Sequence, residues 1–219
     1  MKKTGELKLM DVEIDLLEEC RNLALENQQY LDKYNVRMFD IMGSVGTGKT
    51  SLIERLVCDL KDNYRVVVIN GDLATNIDQE RIRRHGVQAI QLNTGKTCHL
   101  DAGLVRSILE ELNLEEVDLV IVENVGNLIC PAGFPLGSHR RIAVISTPEG
   151  PYIALKHPHV FAEMDWIVIN KTDLAPSLGV DLEKLVRDLQ SVNPLARIYQ
   201  TSCRDGTGIA ELVRDLAGG

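Results

Sequence analysis

Apolar and polar positions follow two distinct patterns along this 219-residue chain. Seven short runs are rich in Val, Ile and Leu, and most are continuously apolar, as strands covered by helices on both faces should be. These runs predict strands at residues 36–42, 65–70, 87–92, 117–123, 140–146, 166–170 and 196–201.

Segments with helical spacing separate most of the predicted strands. They lie at residues 49–61, 78–85, 100–112, 182–192 and 209–216. This alternation predicts an α/β fold with a doubly wound, mainly parallel seven-stranded sheet flanked by helices, in one domain over residues 36–219. Two connections, residues 124–139 and 147–159, are longer than a plain turn requires, and long ordered loops in compact domains tend to be functional.

The segment before residue 36 has a helical pattern of its own. Ile14, Leu17, Leu23 and Leu31 recur at near-helical spacing with acidic residues between them. We therefore expect residues 1–35 to form an N-terminal helical segment that packs on the domain.

The first predicted strand runs directly into GSVGTGKT, residues 43–50. This octapeptide matches GxxxxGK(S/T) in the context of a P-loop NTPase, a strand followed by a glycine-rich turn that opens a helix. Glycines let backbone N–H groups face the β-phosphate, Lys49 spans the β- and γ-phosphate oxygens, and Thr50 places its hydroxyl on Mg²⁺. The predicted phosphate-binding residues are Gly43, Ser44, Gly46, Thr47, Gly48, Lys49, Thr50 and Ser51.

A second motif, NKTD at residues 170–173, follows the sixth predicted strand. By itself it is also compatible with a polar turn that starts a helix. After a P-loop it predicts GTP, because the Asp173 carboxylate accepts from two donors of guanine that adenine lacks. ATP would leave a buried carboxylate unpaired, at a cost of roughly 1 to 3 kcal/mol. The predicted base-binding residues are Asn170, Lys171 and Asp173, with Ser202 and Cys203 after the last strand.

Nucleotide hydrolysis also needs Mg²⁺ ligands and a loop that touches the γ-phosphate. Asp72 and Glu123 end predicted strands at the edge where the P-loop emerges, so with Thr50 they are the candidate magnesium ligands. With Lys49 they are the candidate catalytic residues. A turn or capping role is the alternative for both acids. Residues 123–126 resemble the DxxG element of GTPases, in which the glycine, here Gly126, contacts the γ-phosphate.

A possible transition-metal site involves Cys98, His99 and Cys130. Two thiolates and an imidazole suit Zn²⁺, Ni²⁺ or Cu⁺. Spacing alone supports this site weakly, because a lone cysteine is more often a small core residue. Adjacent helical residues project about 100° apart, so Cys98 and His99 can share one ion only if a helix starts there or if two chains share the site.

The net charge of −8 disfavours nucleic acid or an anionic membrane surface as the main partner, since both reward a basic footprint. No apolar stretch approaches the ~20 residues of a membrane span, and the N-terminus becomes acidic where a signal peptide would be apolar. We therefore expect a cytoplasmic protein whose five cysteines are reduced and free to bind a metal.

Three longer blocks accompany these motifs: GDLATNIDQERI at residues 71–82, NTGKTCHLDA at residues 93–102 and ENVGNLICPA at residues 123–132. In this order with GSVGTGKT and NKTD, they resemble the HypB family, the nickel-incorporation GTPases of hydrogenase maturation, from about residue 36 onward. The resemblance implies a slow, dimer-forming GTPase that uses GTP and Mg²⁺ and helps deliver nickel to the hydrogenase large subunit.

The same resemblance implies a Ni²⁺ or Zn²⁺ site at the dimer interface, built from Cys98, His99 and Cys130. Urease accessory GTPases look similar in their nucleotide motifs but carry a Cys-Pro-His ligand set, so the adjacent Cys98 and His99 favour the hydrogenase branch.

Two departures from the family pattern are visible. Many members begin with a cysteine motif or a histidine-rich run that holds nickel, and neither occurs before residue 36 here. We therefore expect a separate nickel-binding accessory protein to supply the metal. Members also tend to have acidic residues after the glycine that matches Gly150, where this chain has Pro151 and Tyr152.

Two other functions remain as alternatives. A P-loop small-molecule kinase with a structural zinc would need an acceptor pocket and usually an arginine-rich lid, and it would not need NKTD. A regulatory GTPase without a metal role would differ from a metallochaperone in the metal content of the purified protein.

Overall fold

The strands form one parallel sheet in the computed structural model, which describes residues 3–72, 76–95 and 97–218, with side chains from residue 18 onward except at residue 72. The strands are β1 Arg37–Met42, β2 Val66–Asp72, β3 Gln88–Asn93, β4 Leu119–Glu123, β5 Arg140–Ser146, β6 Trp166–Asn170 and β7 Arg197–Gln200. Their order is β3-β2-β4-β1-β5-β6-β7 and every neighbouring pair is parallel. The predicted seven-stranded α/β fold is confirmed.

Helices connect the strands and cover both faces of the sheet. They are α1 Lys3–Asp32, α2 Lys49–Leu60, α3 Ile77–Arg83, α4 Ala102–Glu111, α5 Ile129–Ala132, α6 Ile153–Lys156, α7 Pro158–Ala162, α8 Ala175–Leu178, α9 Leu182–Val192 and α10 Ile209–Gly218. The two long connections are more ordered than plain loops, because α5 lies in the first and α6 and α7 lie in the second. Among the described helices, none combines the length and apolar character that crossing a membrane requires.

The start of α4 differs from the sequence prediction, which began this helix at residue 100. The helix begins at Ala102 because the Asp101 side chain accepts a hydrogen bond from the Leu104 N–H and caps the first turn. Cys98 and His99 therefore precede the helix, and the angular restriction on adjacent helical residues does not apply to them.

The core lies on both faces of the sheet. On one face, Leu52 and Leu56 of α2 pack with Val68 of β2. On the other face, Val105 of α4 packs with Met38 of β1. Strands covered on both faces have no solvent-exposed side on which polar residues would be favoured, which explains their continuously apolar sequences.

Strand β1 lies at the topological switch point of the sheet, because β2, β3 and β4 lie on one side of it and the chain then crosses to β5, β6 and β7 on the other side. In open parallel sheets, ligands bind outside the carboxyl ends of the strands at this point. The P-loop follows β1 directly, so the fold places it where a ligand is expected.

The N-terminal helix α1 packs on the domain through its C-terminal half. Leu31 is buried, and the buried Asn27 amide donates to the carbonyls of Ala102 at 2.8 Å and Leu136 at 3.1 Å. Ile14 and Leu17, which were part of the predicted apolar stripe, have side chains outside the described part. The division into residues 1–35 and 36–219 stays a prediction.

Candidate functional site

The P-loop connects β1 to α2 and packs against the start of the NKTD motif. Gly48 has φ 97°, a left-handed conformation, and a Cβ there would lie 2.5 Å from the Asn170 Nδ2. The Asn170 Nδ2 donates to the Thr47 carbonyl at 2.9 Å. Only glycine permits this approach, so the two motifs that the sequence places far apart are in direct contact.

Lys49 folds back over its own loop. Its Nζ donates to the carbonyls of Gly43 at 2.8 Å and Ser44 at 3.3 Å. Burial lowers the pKa of Lys49, and the nearby Glu123 carboxylate opposes this effect. The ammonium group is thus held over the P-loop by carbonyl acceptors, which the oxygens of a bound phosphate could replace.

Two of the three candidate magnesium ligands contact each other. The Thr50 hydroxyl donates to Glu123 Oε1 at 2.6 Å, and the Asn70 amide donates to Glu123 Oε2 at 2.8 Å. Burial raises the pKa of Glu123 to about 7, against the hydrogen bond from Thr50. The third candidate, Asp72, ends β2, and its side chain lies outside the described part of the chain.

A cavity of about 450 Å³ lies beside these groups. It is called the phosphate cavity below, after the ligand expected in it. Gly126 lies at the edge of this cavity in close contact with the P-loop, since a Cβ at Gly126 would lie 2.5 Å from Val45 Cγ2. Of the predicted residues, the lining includes Gly46, Gly48, Lys49, Thr50, Ser51, Glu123, Gly126 and Lys171. Gly43, Ser44 and Thr47 do not line it and instead hold Lys49 and Asn170 through their carbonyls.

The cavity also has charged residues that the sequence analysis did not select. Asp78 and Arg81, both on α3, line it beside the P-loop. Their position in GDLATNIDQERI, after the strand that ends at Asp72, was the available signal. Charges on a short amphipathic helix are usually solvent-exposed, so the pattern did not separate them from ordinary surface residues.

A second cavity of about 410 Å³ lies beside the first, and its lining includes Asn170, Lys171, Asp173 and Cys203. The Asn170 Oδ1 accepts from the Cys203 N–H at 3.4 Å, which joins the loop after β7 to the NKTD motif. Ser202 is buried behind this wall, where its N–H donates to the Thr207 carbonyl at 3.0 Å. The predicted base-binding residues thus lie together, with Ser202 supporting the loop.

The three candidate transition-metal ligands meet in pairs. The Cys98 thiol is hydrogen-bonded to the Cys130 thiol, which raises the pKa of Cys98. Its Sγ lies 3.8 Å from the His99 Nδ1, but the His99 ring stacks on Phe134 with a centroid distance of 3.8 Å. Among the described residues, no group of three His, Cys, Asp or Glu side chains has metal-binding geometry.

A short polar path joins the phosphate cavity to these cysteines. The Asn124 Oδ1 accepts from the N–H groups of Val125 at 3.0 Å and Leu100 at 3.3 Å. Three residues further on, the Asn127 Oδ1 accepts from the Cys130 N–H at 3.5 Å. The segment from Asn124 to Asn127 is therefore hydrogen-bonded at both of its ends, next to Glu123 at one end and to Cys130 at the other.

Several known proteins are similar to this chain. The family model for the CobW/HypB/UreG nucleotide-binding domain matches residues 37–200. The probable hydrogenase maturation factor HypB of Methanocaldococcus jannaschii is 47% identical over 205 residues, which are 94% of this chain and 93% of that protein. The hydrogenase maturation factor HypB of Escherichia coli is 40% identical over 202 residues, 92% of this chain and 70% of that protein.

Solved structures agree with this similarity. HypB from Archaeoglobus fulgidus superposes with a TM-score of 0.86 at 39% identity, covering 92% of this chain and 98% of that one. HypB from Helicobacter pylori in complex with nickel gives a TM-score of 0.85 at 34% identity, covering 91% and 94%. The chain therefore belongs to the CobW/HypB/UreG family of P-loop nucleotide-binding proteins and, within it, to the hydrogenase maturation factors of the HypB type.

Proposed function

We propose that this chain is a GTP-hydrolysing metallochaperone that assists nickel insertion into hydrogenase. The observation that carries the proposal is the continuity of the two cavities, which share Gly48, Ser51 and Lys171. A guanine nucleotide fits this arrangement, because its base would meet the Asp173 carboxylate while its phosphates lie along the P-loop N–H groups.

The phosphate end of the site has groups that support hydrolysis. Lys49 exchanges its loop carbonyls for phosphate oxygens, which bind an ammonium group more strongly because they are charged. Thr50 and Glu123 fit Mg²⁺, since their oxygens lie 2.6 Å apart on the wall of the cavity. Bound there, Mg²⁺ would neutralise charge on the phosphates.

Nickel is the proposed cargo, held by Cys98, His99 and Cys130. Thiolate and imidazole ligands suit Ni²⁺ and Zn²⁺ alike. One chain brings these ligands together only in pairs, and Cys98 is exposed. A second copy of the chain completes the ligand set, so the functional form is a homodimer promoted by GTP and metal. A nickel-binding accessory protein and the hydrogenase large subunit are the other proposed partners.

Nucleotide hydrolysis by the purified chain tests the proposal directly. With Mg²⁺ present, phosphate release is expected from GTP and not from ATP at the same concentration. Lys49→Ala is expected to abolish release while its circular dichroism spectrum stays unchanged. Equal rates of phosphate release from ATP and GTP, or a wild-type rate of release in Lys49→Ala, would contradict the proposed GTPase function.

Metal content separates the proposed function from a regulatory GTPase. Nickel bound by the wild type and lost in Cys98→Ser supports cargo delivery. A GTPase that binds no nickel at any nucleotide state would instead be regulatory.

A further inference from the structure

Arg81 lies at the phosphate cavity, within the block of residues 71–82 but outside the P-loop, the NKTD motif and residues 123–126. It projects from α3 and lines the cavity together with Lys49 and Thr50. Its Nη2 donates to the Ser51 hydroxyl at 3.1 Å. Ser51 directly follows the candidate magnesium ligand Thr50, so the guanidinium is one hydrogen bond from the first turn of the P-loop helix.

The Glu54 carboxylate holds the Arg81 guanidinium beside the cavity. The Glu54 carboxylate accepts from Arg81 Nη2 at 2.6 Å and from Arg81 Nε at 3.2 Å. On the Nη1 side, the contact found among the described residues is a long one, 3.4 Å to Asp78 Oδ1. The edge of the guanidinium that carries Nη1 is thus only weakly engaged.

The charges around the phosphate cavity favour a role for the Arg81 guanidinium in binding phosphate. Two of the carboxylates that line the cavity, those of Asp78 and Glu123, oppose an incoming phosphate. Of the lysines, Lys171 is bound to the Gly46 carbonyl at 2.5 Å. Of the described lysines that line the cavity, Lys49 belongs to the P-loop motif and is the one expected at the β- and γ-phosphates. Charge accumulates on the γ-phosphoryl group and the leaving oxygen during transfer, and a second cation would stabilise it.

We propose that Arg81 is an internal catalytic arginine, which leaves Glu54 when GTP binds and donates to the γ-phosphate in the transition state. This inference rests on the proposed GTPase function. Water attacks the γ-phosphorus, the bond to the β–γ bridging oxygen breaks, and GDP and inorganic phosphate form. The proton of the attacking water ends on phosphate, and Arg81 stays protonated throughout.

Glu54 has a replacement partner when the guanidinium leaves. The His85 Nε2 lies 3.7 Å from Glu54 Oε1, so the carboxylate keeps a polar neighbour at the same helix surface. The exchange also replaces a carboxylate by a triphosphate that carries more negative charge. Both facts favour movement of Arg81 in the GTP-bound state and its return to Glu54 after phosphate release.

The competing explanation is that Arg81 only fastens α3 to α2 through Glu54. The two explanations differ for Glu54→Gln. A fastening pair is broken equally from either side, so Glu54→Gln and Arg81→Gln would reduce hydrolysis to the same extent. A catalytic arginine is freed by Glu54→Gln, which is expected to keep or increase the wild-type kcat.

The test compares Arg81→Gln, Arg81→Lys, Glu54→Gln and Arg83→Gln in the full chain. Arg83 is the matched control, since it lies on the same helix but donates to the Ala89 carbonyl at 3.0 and 3.1 Å. Arg81→Gln is expected to lower kcat on the order of 10²-fold, with the Kd for GDP changed less than about 2-fold. Arg81→Lys is expected to retain intermediate activity, because the charge remains but the bidentate geometry is lost.

Binding of GDP with Mg²⁺ and fluoroaluminate, a mimic of the transferring phosphoryl group, gives a second readout. Wild type and Arg83→Gln should bind this mixture much more tightly than GDP alone, and Arg81→Gln should not. A kcat unchanged in Arg81→Gln, or equal losses in Arg81→Gln and Glu54→Gln, would overturn the role of Arg81. Absence of GTP hydrolysis in the wild type would instead reject the GTPase function itself.

Discussion

We expect the choice between guanine and other bases to depend on the carboxylate of Asp173, which lines the second cavity. Asp173→Asn is expected to weaken GTP binding at least about 10-fold and to favour xanthine nucleotides, because an amide donates where the carboxylate only accepts. Competition between GTP and XTP measures the effect. Asp181→Asn is the matched control, since Asp181 caps α9 and accepts from the Lys184 N–H, a role that asparagine can also fill. Unchanged GTP preference in Asp173→Asn would remove NKTD from the site.

A second prediction at a single side chain concerns the buried Asp40 of β1. Burial raises the pKa of Asp40 to about 6 from its ordinary value of 3.8, partly offset by Arg141 and by the Asn124 amide that donates at 3.1 Å. Between these pH values the folded state binds more protons than the unfolded state. The free energy of unfolding therefore falls as pH rises from about 4 to about 6, by on the order of 2 kcal/mol, and it stays lower at neutral pH.

Asp40→Asn removes this titration and should flatten that part of the stability profile. Denaturant unfolding of the nucleotide-free protein at several pH values between 4 and 7 measures the difference. The wild type should lose stability relative to Asp40→Asn across this range. Profiles that run parallel would show that Asp40 titrates alike in the folded and unfolded states.

The secondary-structure elements were largely predictable because their sequences are determined by burial. All seven strands were predicted, since strands covered on both faces must be apolar throughout. The start of α4 was not, because a side-chain cap at Asp101 overrode the apolar spacing that began at Leu100.

The residues of the candidate site were predictable from the sequence only where they belong to a short contiguous motif. The P-loop residues and Asp173 belong to short contiguous motifs, and the sequence predicts them as binding residues for that reason. Asp78 and Arg81 reach the cavity only because α3 packs beside α2, and a charged residue on a short helix looks the same whether it faces solvent or a ligand. The contact between Gly48 and Asn170 likewise depends on strand order, which local patterns do not encode.

The segment from Glu123 to Cys130 is the element that should couple nucleotide to metal. It begins at a candidate magnesium ligand, passes Gly126 at the phosphate cavity and ends at a candidate nickel ligand. A γ-phosphate that moves Gly126 must shift the Asn127 turn that holds the Cys130 N–H. Binding free energies are reciprocal, so GTP should change nickel affinity and nickel should change GTP affinity by the same factor, typically about 5- to 150-fold.

Nickel titration with GDP and with a non-hydrolysable GTP analogue measures this coupling. The pH must be fixed, because ligation of thiols releases protons. Cys130→Ala is expected to lose the coupling while it retains GTP binding, whereas Cys20→Ala, on α1, should behave as the wild type. Equal nickel affinity in both nucleotide states would reject the switch even if a tightly bound ion were found.

For the molecule as a whole, the metal site predicts the oligomeric state. One chain pairs the exposed Cys98 with Cys130 and with His99, but among the described residues no three ligands surround one point. We therefore expect an ion that requires three or four ligands to gain them when two copies meet, and each bound ion would then stabilise the dimer by mass action. Sedimentation velocity over a range of protein concentrations, with nickel and with a chelator, measures the shift. The dimer fraction should rise with nickel in the wild type and in Cys58→Ala, and it should not respond in Cys98→Ser. Tight binding of one nickel per chain without any change in sedimentation would show that each chain completes the site alone.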